Sequence, residues 1–525
     1  MRLAGKGGSL ATQALASTAV PGSLEGQAGI QVQLGSDGRY EGTRIDGGKG
    51  DVLMQSAGNL SLLQVTDQAS QTSGQLDGNA WAKVGNRPGS TGVDTRGYLD
   101  HSQRQASQSK AQVAQIDAKG EVRLGSGGDL LLEGTRIGKR EAKVADLHLQ
   151  SDGLLAVKPA SDTQQASGSG LGGGLELGPK TGATKGGAIG GHFSHGKQDE
   201  EARQAVDAQF ASAGKLSLDS RAREGLALHV QGLQASAEQI ELHASNGGML
   251  IEASSNQERR DNLDITAGAG FNQAKGATDT RGLHGRVQVN VDQRNNLSWN
   301  ADTLRADRID LQSLGDTRLE GVSLEASQIT GTIGSDLRVA SRKDSIDSLS
   351  VKVDARLSHE KNPQGYTNAA SAVAGPFGGR VGEKAGPTLS KVEPGLSPTF
   401  KLEMSKQQRD TVAHQATLKG SAGIDLNVAG EARLLGARMQ SAKGEVALKA
   451  ASVTRETLSG SDLRRDLSID ASNSPVDLGT AIADMAKGKG KGAAGGDNAL
   501  DLGLLRTSGY NRNEQWSSHI QGKAD

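Results

Sequence analysis

Few residues in this chain have the type and spacing that chemistry needs. His192 and His195, in Gly-Gly-His-Phe-Ser-His, form the only close histidine pair. A metal site would need both on one side with a third ligand at hand. In an extended strand, residues i and i+3 point to opposite faces, and no third ligand is near in sequence, so no metal is expected there. Gly170-Leu-Gly-Gly-Gly174 has the glycine density of a phosphate-cradling loop but lacks the Lys-Ser/Thr that grips phosphate and magnesium. It reads instead as the tip of an excursion. Lys487-Gly-Lys-Gly-Lys-Gly492 could touch anionic lipid or glycan, although a few lysines at a tip are ordinarily just solvated. The 60 acidic residues are spread evenly, without the recurrent carboxylate pair that polysaccharide cleavage requires. The reading therefore assigns no catalytic residue, metal ligand or cofactor.

The elements that would have to position any site are unusual. Only 34% of the 525 residues are hydrophobic and 2% aromatic, so large cores built on Phe, Tyr and Trp are ruled out. Glycine stands at 74 residues and proline at 10. That pairing suits many tight turns between short paired strands, because glycine allows positive φ while proline removes a ladder donor. Basic and acidic residues nearly cancel, leaving a formal charge of −1. Such balance argues against whole-chain disorder and against electrostatic attraction to nucleic acid. Cysteine is absent, which excludes disulfides and suits a chain that crosses an oxidising periplasm unfolded. No stretch approaches the ~20 apolar residues of a spanning helix, so the chain is not expected to span a membrane. Residues 10–20 are too polar for a signal-peptide core.

Internal repetition is the strongest signal. Five stretches share a pattern: Tyr40-Glu-Gly-Thr-Arg-Ile45, Leu132-Glu-Gly-Thr-Arg-Ile137, Val230-Gln-Gly-Leu-Gln-Ala235, Leu319-Glu-Gly-Val-Ser-Leu324 and Leu434-Leu-Gly-Ala-Arg-Met439. Their glycines, Gly42, Gly134, Gly232, Gly321 and Gly436, are 92, 98, 89 and 115 residues apart. Short alternating strands flank each one, such as Ile30–Leu34, Val122–Leu124 and Leu216–Leu218 before it, and Val52–Met54, Leu147–Leu149 and Ile240–Leu242 after it. Strands this short must stack coil on coil, so the fold expected is all-β, a right-handed parallel β-helix.

Each repeat has a second half, entered through a polar patch outside the strands such as Asn256-Gln-Glu-Arg-Arg260. Leu263, Ile265, Ala267, Ala269 and Phe271 alternate on one face, and Val287, Val289 and Val291 return with the same alternation. Leu349 to Leu357 and Phe400 to Met404 repeat the arrangement around a tip containing Gly375-Pro-Phe-Gly-Gly379, and the run from Gly488 to Gly496 reads as another such tip. These are long β-hairpin excursions, expected to lie side by side because an isolated hairpin is marginal. Pro475–Met485 could form a short helix at one tip, with Ser474 as its N-cap. The repeats then divide as a partial preceding coil at 1–24, followed by 25–112, 113–206, 207–302, 303–416 and 417–525, all in one solenoid.

Gly128-Asp-Leu-Leu-Leu-Glu-Gly-Thr-Arg-Ile137 and its counterparts, followed by Gln/Ser/Arg-rich excursions, resemble the haemagglutinin repeats of filamentous-haemagglutinin-type exoproteins. The resemblance runs from about Gly29 to the C-terminus. It implies a secreted protein at the bacterial surface, exported through an outer-membrane two-partner-secretion transporter. Members include adhesins and the repeat stalks of contact-dependent growth-inhibition toxin carriers, so a host or neighbouring-cell receptor or glycan is the implied partner. With no signal peptide, secretion domain or toxin recognised, the chain is expected to be a fragment. A carbohydrate-active β-helix enzyme is the alternative.

Overall fold

A strand of three to six residues buries two or three aliphatic side chains, too few to offset the entropy of ordering a coil by itself. Support must come from the coils above and below. The computed structural model, which describes residues 2–87, 90–182, 185–275, 280–360, 396–472 and 505–522, shows how that support is arranged. The first coil runs through β2 (Ser23–Glu25), β3 (Gly29–Leu34) and β4 (Gly38–Glu41), after an N-terminal strand β1 (Arg2–Ser17). The second runs through β5 (Arg44–Asp46), β6 (Asp51–Ser56) and β7 (Leu60–Leu63). Each strand pairs in parallel with its counterpart one coil on: β2 with β5, β3 with β6, β4 with β7.

The same course recurs through β10–β15 (residues 115–158), β18–β23 (208–252), β26–β29 (302–340) and β32–β36 (417–456), and β39 (His519–Gln521) opens a further coil. One face is a 10-stranded parallel sheet. The other two faces join into 18 strands, because β26 (Asp302–Ser313), β28 (Val322–Ile333) and β32 (Thr417–Val428) run on through the corner between them. The chain forms the parallel β-helix that its repeats predict.

Register holds this core together. Ile30, Val52, Val122, Leu147, Leu216 and Ile240 stack directly over one another, and the ladder continues through Ile309, Ile329 and Ile424 to Val446. On the 10-stranded face, Leu62, Leu132, Val157, Val230, Ile251 and Leu319 do the same, all at 0% exposure. Each such burial is worth roughly 2 kcal/mol. Polar ladders secure the corners. Asp37 accepts the Asn59 N–H at 2.7 Å, Asn59 accepts the Asp129 N–H at 2.8 Å, and Asp129 accepts the Leu154 N–H at 2.8 Å. Each turn's side chain thus satisfies a backbone donor of the next coil.

Every second coil opens into a hairpin. The arms are β8 (Val65–Arg87) with β9 (Ser90–Gln112), β16 (Ala160–Gly182) with β17 (Lys185–Val206), and β24 (Ser254–Lys275) with β25 (Thr280–Asn300). They continue as β30 (Asp344–Glu360) with β31 (Leu396–Thr411), and β37 (Leu458–Ser472) with β38 (Leu505–Trp516). Together with β1 they make a single 11-stranded antiparallel sheet, in which β9 pairs with β16, β17 with β24, β25 with β30 and β31 with β37. The spacing explains the continuity. Coils stack about 4.8 Å apart, so two coils advance the axis by two strand widths, which is the width of one hairpin.

The arms run longer than the sequence suggests. Asn256–Arg260, expected as a polar patch outside the strands, lies within β24. Backbone pairing on both sides supports an extended chain there whatever the side-chain polarity. The glycine tip at 375–379, the run from Gly488 to Gly496 and the proposed helix at Pro475–Met485 lie outside the described residues.

Two consequences can be measured. Leu218→Asp buries an unpaired carboxylate between two coils and should cost several kcal/mol in urea unfolding, whereas the exposed Gln55→Ser should be nearly neutral. Deleting residues 113–206, two coils with their hairpin, should leave a folded chain by circular dichroism. Deleting only 135–159, a single coil, should not, because the hairpins then fall out of step with the axis.

Candidate functional site

The hairpin junctions and the sheet they support carry the unusual chemistry. At each of Gly42, Gly134, Gly232, Gly321 and Gly436 the chain turns directly from one coil into the next, with φ between +56° and +72°. At the equivalent corner one coil later, the hairpin leaves instead. The two corners are in contact. A Cβ on Gly134 would lie 2.6 Å from Ala160 Cβ, at the outgoing foot of the second hairpin, and 2.7 Å from Val113 Cγ1, at the returning foot of the first. A Cβ on Gly42 would lie 2.7 Å from Val65 Cγ2, and one on Gly436 2.7 Å from Leu458 Cβ. These glycines answer two demands at once, a left-handed backbone and the close approach of the hairpin foot.

A second device ties four of the five hairpins to the strand or hairpin before them. Asp67 accepts the Ala19 N–H at 2.9 Å, Asp162 the Ala111 N–H at 2.7 Å, Asn256 the Ala205 N–H at 2.8 Å and Asp344 the Trp299 N–H at 2.8 Å. The sequence reading missed this clamp. An Asp or Asn at the foot of four outgoing arms, with Gly460 in its place in β37, is a signal only once the arms are aligned. At the Trp299 foot the indole donates to the Lys343 carbonyl at 2.9 Å, and the Arg342 guanidinium covers the ring at 4.7 Å. Arg342 also reaches Glu252 at 2.8 Å, and His229 lies 3.1 Å from the same carboxylate. Both hold the Glu252 carboxyl below its ordinary range, with His229 the larger influence.

One junction is electrostatically strained. Asp302 is wholly buried; it accepts the Leu233 N–H at 3.0 Å, while its Oδ2 has no partner. Burial raises its carboxyl well above the ordinary range, and the nearby charges of Asp207 and Glu252 add to that. Asp207 is raised too, chiefly by burial, although Ser254 donates to it at 2.6 Å.

The hairpin sheet has two unlike faces. On one, Asp354 is gripped by Arg286 at 2.8 Å and Arg356 at 2.9 Å, which lowers its carboxyl to about 2, mainly through Arg286. That face also carries a cleft of about 570 Å³ lined by Arg96, His192, His284, Arg286 and Arg356 over glycines. On the other face, Val289, Val353, Ala355, Phe400 and Ile469 pack across neighbouring arms. The same face is open in the earlier hairpins, where Leu99 is 57% and Leu175 68% exposed.

Comparison with known proteins agrees with this architecture. The Hemagglutinin repeat family profile matches residues 5–153, 141–261 and 189–355, more than half of the chain. The chain belongs to the haemagglutinin-repeat family. Similar curated proteins include a hemolysin of Serratia marcescens, 33% identical over 408 residues (74% of this chain, 25% of that protein). A hemolysin of Proteus mirabilis is 24% identical over 541 aligned positions, covering 90% of this chain and 33% of that protein. The chain thus spans a quarter to a third of the length of these relatives. No solved structure matches it.

In this haemagglutinin-repeat chain the residues first considered for chemistry are dispersed. His192 and His195 are in strand β17, opposite Gly174 and Leu171, and so on opposite faces. Gly170–Gly174 is likewise mid-strand in β16 and not at a tip. Antiparallel neighbours on both sides hold these glycine-rich stretches extended. Lys487–Gly492 lies outside the described residues. Among the described residues no group of three His, Asp or Glu side chains is placed to hold a metal.

Gly134→Ala should cost roughly 2–4 kcal/mol in urea unfolding, from left-handed strain and overpacking together. Gly125→Ala, where a Cβ meets nothing nearer than 3.7 Å, should be far milder. Asp302→Asn should raise the unfolding temperature at pH 7. Because the folded-state value lies above the ordinary 3.8, ionisation penalises the native state only as pH rises past 3.8. The gain should therefore shrink as the pH falls toward 4.

Proposed function

We propose that this chain is a structural and adhesive filament segment of a large secreted bacterial exoprotein. Export through an outer-membrane two-partner-secretion transporter is part of the same reading. The observation that carries it is the commensurate pair of sheets: a stiff β-helical axis with a broad hairpin sheet running continuously beside it. Such a build supplies reach and a long contact surface without a closed pocket. The relatives named hemolysin favour, between an adhesin and a toxin-carrying stalk, the stalk of an exoprotein directed at a target cell. A host or neighbouring-cell surface is then the partner, through a receptor or glycan, and the arginine-lined cleft on the charged face suits an anionic sugar.

A carbohydrate-cleaving β-helix fits less well. Asp207 and Asp302 are carboxylates two coils apart, on either side of the Leu233 coil, yet Asp302 is wholly buried and out of a substrate's reach. Labelled purified chain should bind erythrocytes saturably, and uronate polymers incubated with it should release no unsaturated product. Cleavage above the buffer background, or no cell binding at all, would overturn the proposal.

A further inference from the structure

We propose that the outer halves of the earlier hairpin arms, β1, β8, β9, β16 and β17, form a lipid-facing wall whose open face enters the hydrocarbon of a target bilayer. This rests on the cell-surface reading above and names the surface that makes the contact.

Residues directly opposite in an antiparallel sheet share a face, so register sorts the side chains. On the open face the outer halves show Leu76 to Val84, Val93 to His101, Leu171 to Leu177 and Gly187 to His195, taking alternate residues. None of the residues so placed is Asp, Glu, Lys or Arg. Leu171, Ile189 and Phe193 are 53%, 53% and 45% exposed. The intervening residues point the other way and include Asp77, Lys83, Asp94, Arg96, Asp100 and Glu176. Apolar on one side and charged on the other is how a strand reads when it lines a bilayer.

The boundary of this band is straight. Leu76, His101, Leu171, His195 and Ile265 form one row across the sheet. Two residues closer to the coils the row is Ala11, Gly74, Gln103, Ser169, Lys197 and Leu263, which brings in the first charge. Four residues closer, Gln13, Thr72, Gln105, Ser167, Asp199 and Asp261 form a row that is polar at every position. Outward from the first row the band extends nine residues along β9, Val93 to His101, or ~27 Å at ~3.4 Å per residue. The apolar band of membrane β-structures is ~25 Å tall. A planar edge and this height match hydrocarbon thickness.

A second copy of the chain fits less well. Glycines flank the leucines on neighbouring arms, Gly78 and Gly173 beside Leu99, Gly97 and Gly191 beside Leu175, which leaves isolated knobs without complementary holes. Fluid acyl chains need no such complementarity. Among the described residues no helix is long and apolar enough to cross a membrane, but that criterion does not bear on strands, which need only 9–11 residues of alternating character.

The chain has no cysteine, so single-site labelling is clean. An environment-sensitive fluorophore at Phe193→Cys should brighten on phosphatidylcholine vesicles and be quenched by brominated acyl chains, while the same label at His192→Cys, on the other face, should not. The combined Leu99→Asp, Leu175→Asp, Phe193→Asp variant should keep its circular dichroism and unfolding temperature, because the replaced side chains are exposed. Its vesicle co-flotation should fall at least tenfold. Equal, aqueous signals from both labels would overturn the lipid assignment, as would a wild-type dimer that this variant dissociates. Erythrocyte binding that persists undiminished in the variant would also overturn it while leaving the surface-segment reading intact. Loss of cell binding in wild type would remove both.

Discussion

Everything in this molecule depends on coils of like size repeating at the spacing of paired β-strands. A coil with two or three inward aliphatics on each side has no stability alone, and the ladder from Ile30 to Val446 is what each coil contributes to its neighbours. The same spacing governs the hairpins. Two coils rise by two strand widths, and a hairpin is two strands wide, so excursions from alternate coils meet edge to edge. Hairpins from every coil would collide, and hairpins from every third would leave unpaired edges. The repeat of about 90 residues is the shortest unit that satisfies both sheets.

That arithmetic places a burden on the corner beneath each hairpin. The feet at Val113 and Ala160 come against Gly134 closely enough that a methyl group there would intrude. Five corners solve this with the same residue, and Asp67, Asp162, Asn256 and Asp344 then fix four of the outgoing arms to what precedes them. Asp302 is the costly exception. Its carboxylate meets a backbone N–H on one oxygen and nothing on the other, inside a junction that already holds Asp207. Stability is therefore spent unevenly, with the third and fourth modules joined by the most polar of the junctions.

The consequence for function is a division of labour between the two sheets. The β-helix supplies length and stiffness mainly from Leu, Ile, Val and Ala, which explains how a chain with 2% aromatic residues can build a continuous core. The hairpin sheet carries the chemistry, with the Arg286–Asp354–Arg356 cluster on one face and aliphatics on the other. Its arms reach well beyond the coils, so on the proposed reading their outer halves are the part of the molecule that a target surface would meet first.

Period and alternation determined much of this chain before any coordinates. Alternating Leu, Ile and Val in short runs can bury only one face, and the recurrence of Gly42, Gly134, Gly232, Gly321 and Gly436 required stacking, so the β-helix and its hairpins were legible. The polarity of Asn256–Arg260 and the glycines at 170–174 concealed the full length of the arms, because their extended form comes from backbone pairing with neighbours remote in sequence. The clamp residues were equally hidden, since an Asp hydrogen-bonding to an N–H some 50 residues away leaves no local pattern. Only the register between hairpins decided which residues share a face. With that register, a scatter of leucines and glycines became one uncharged band with a straight edge.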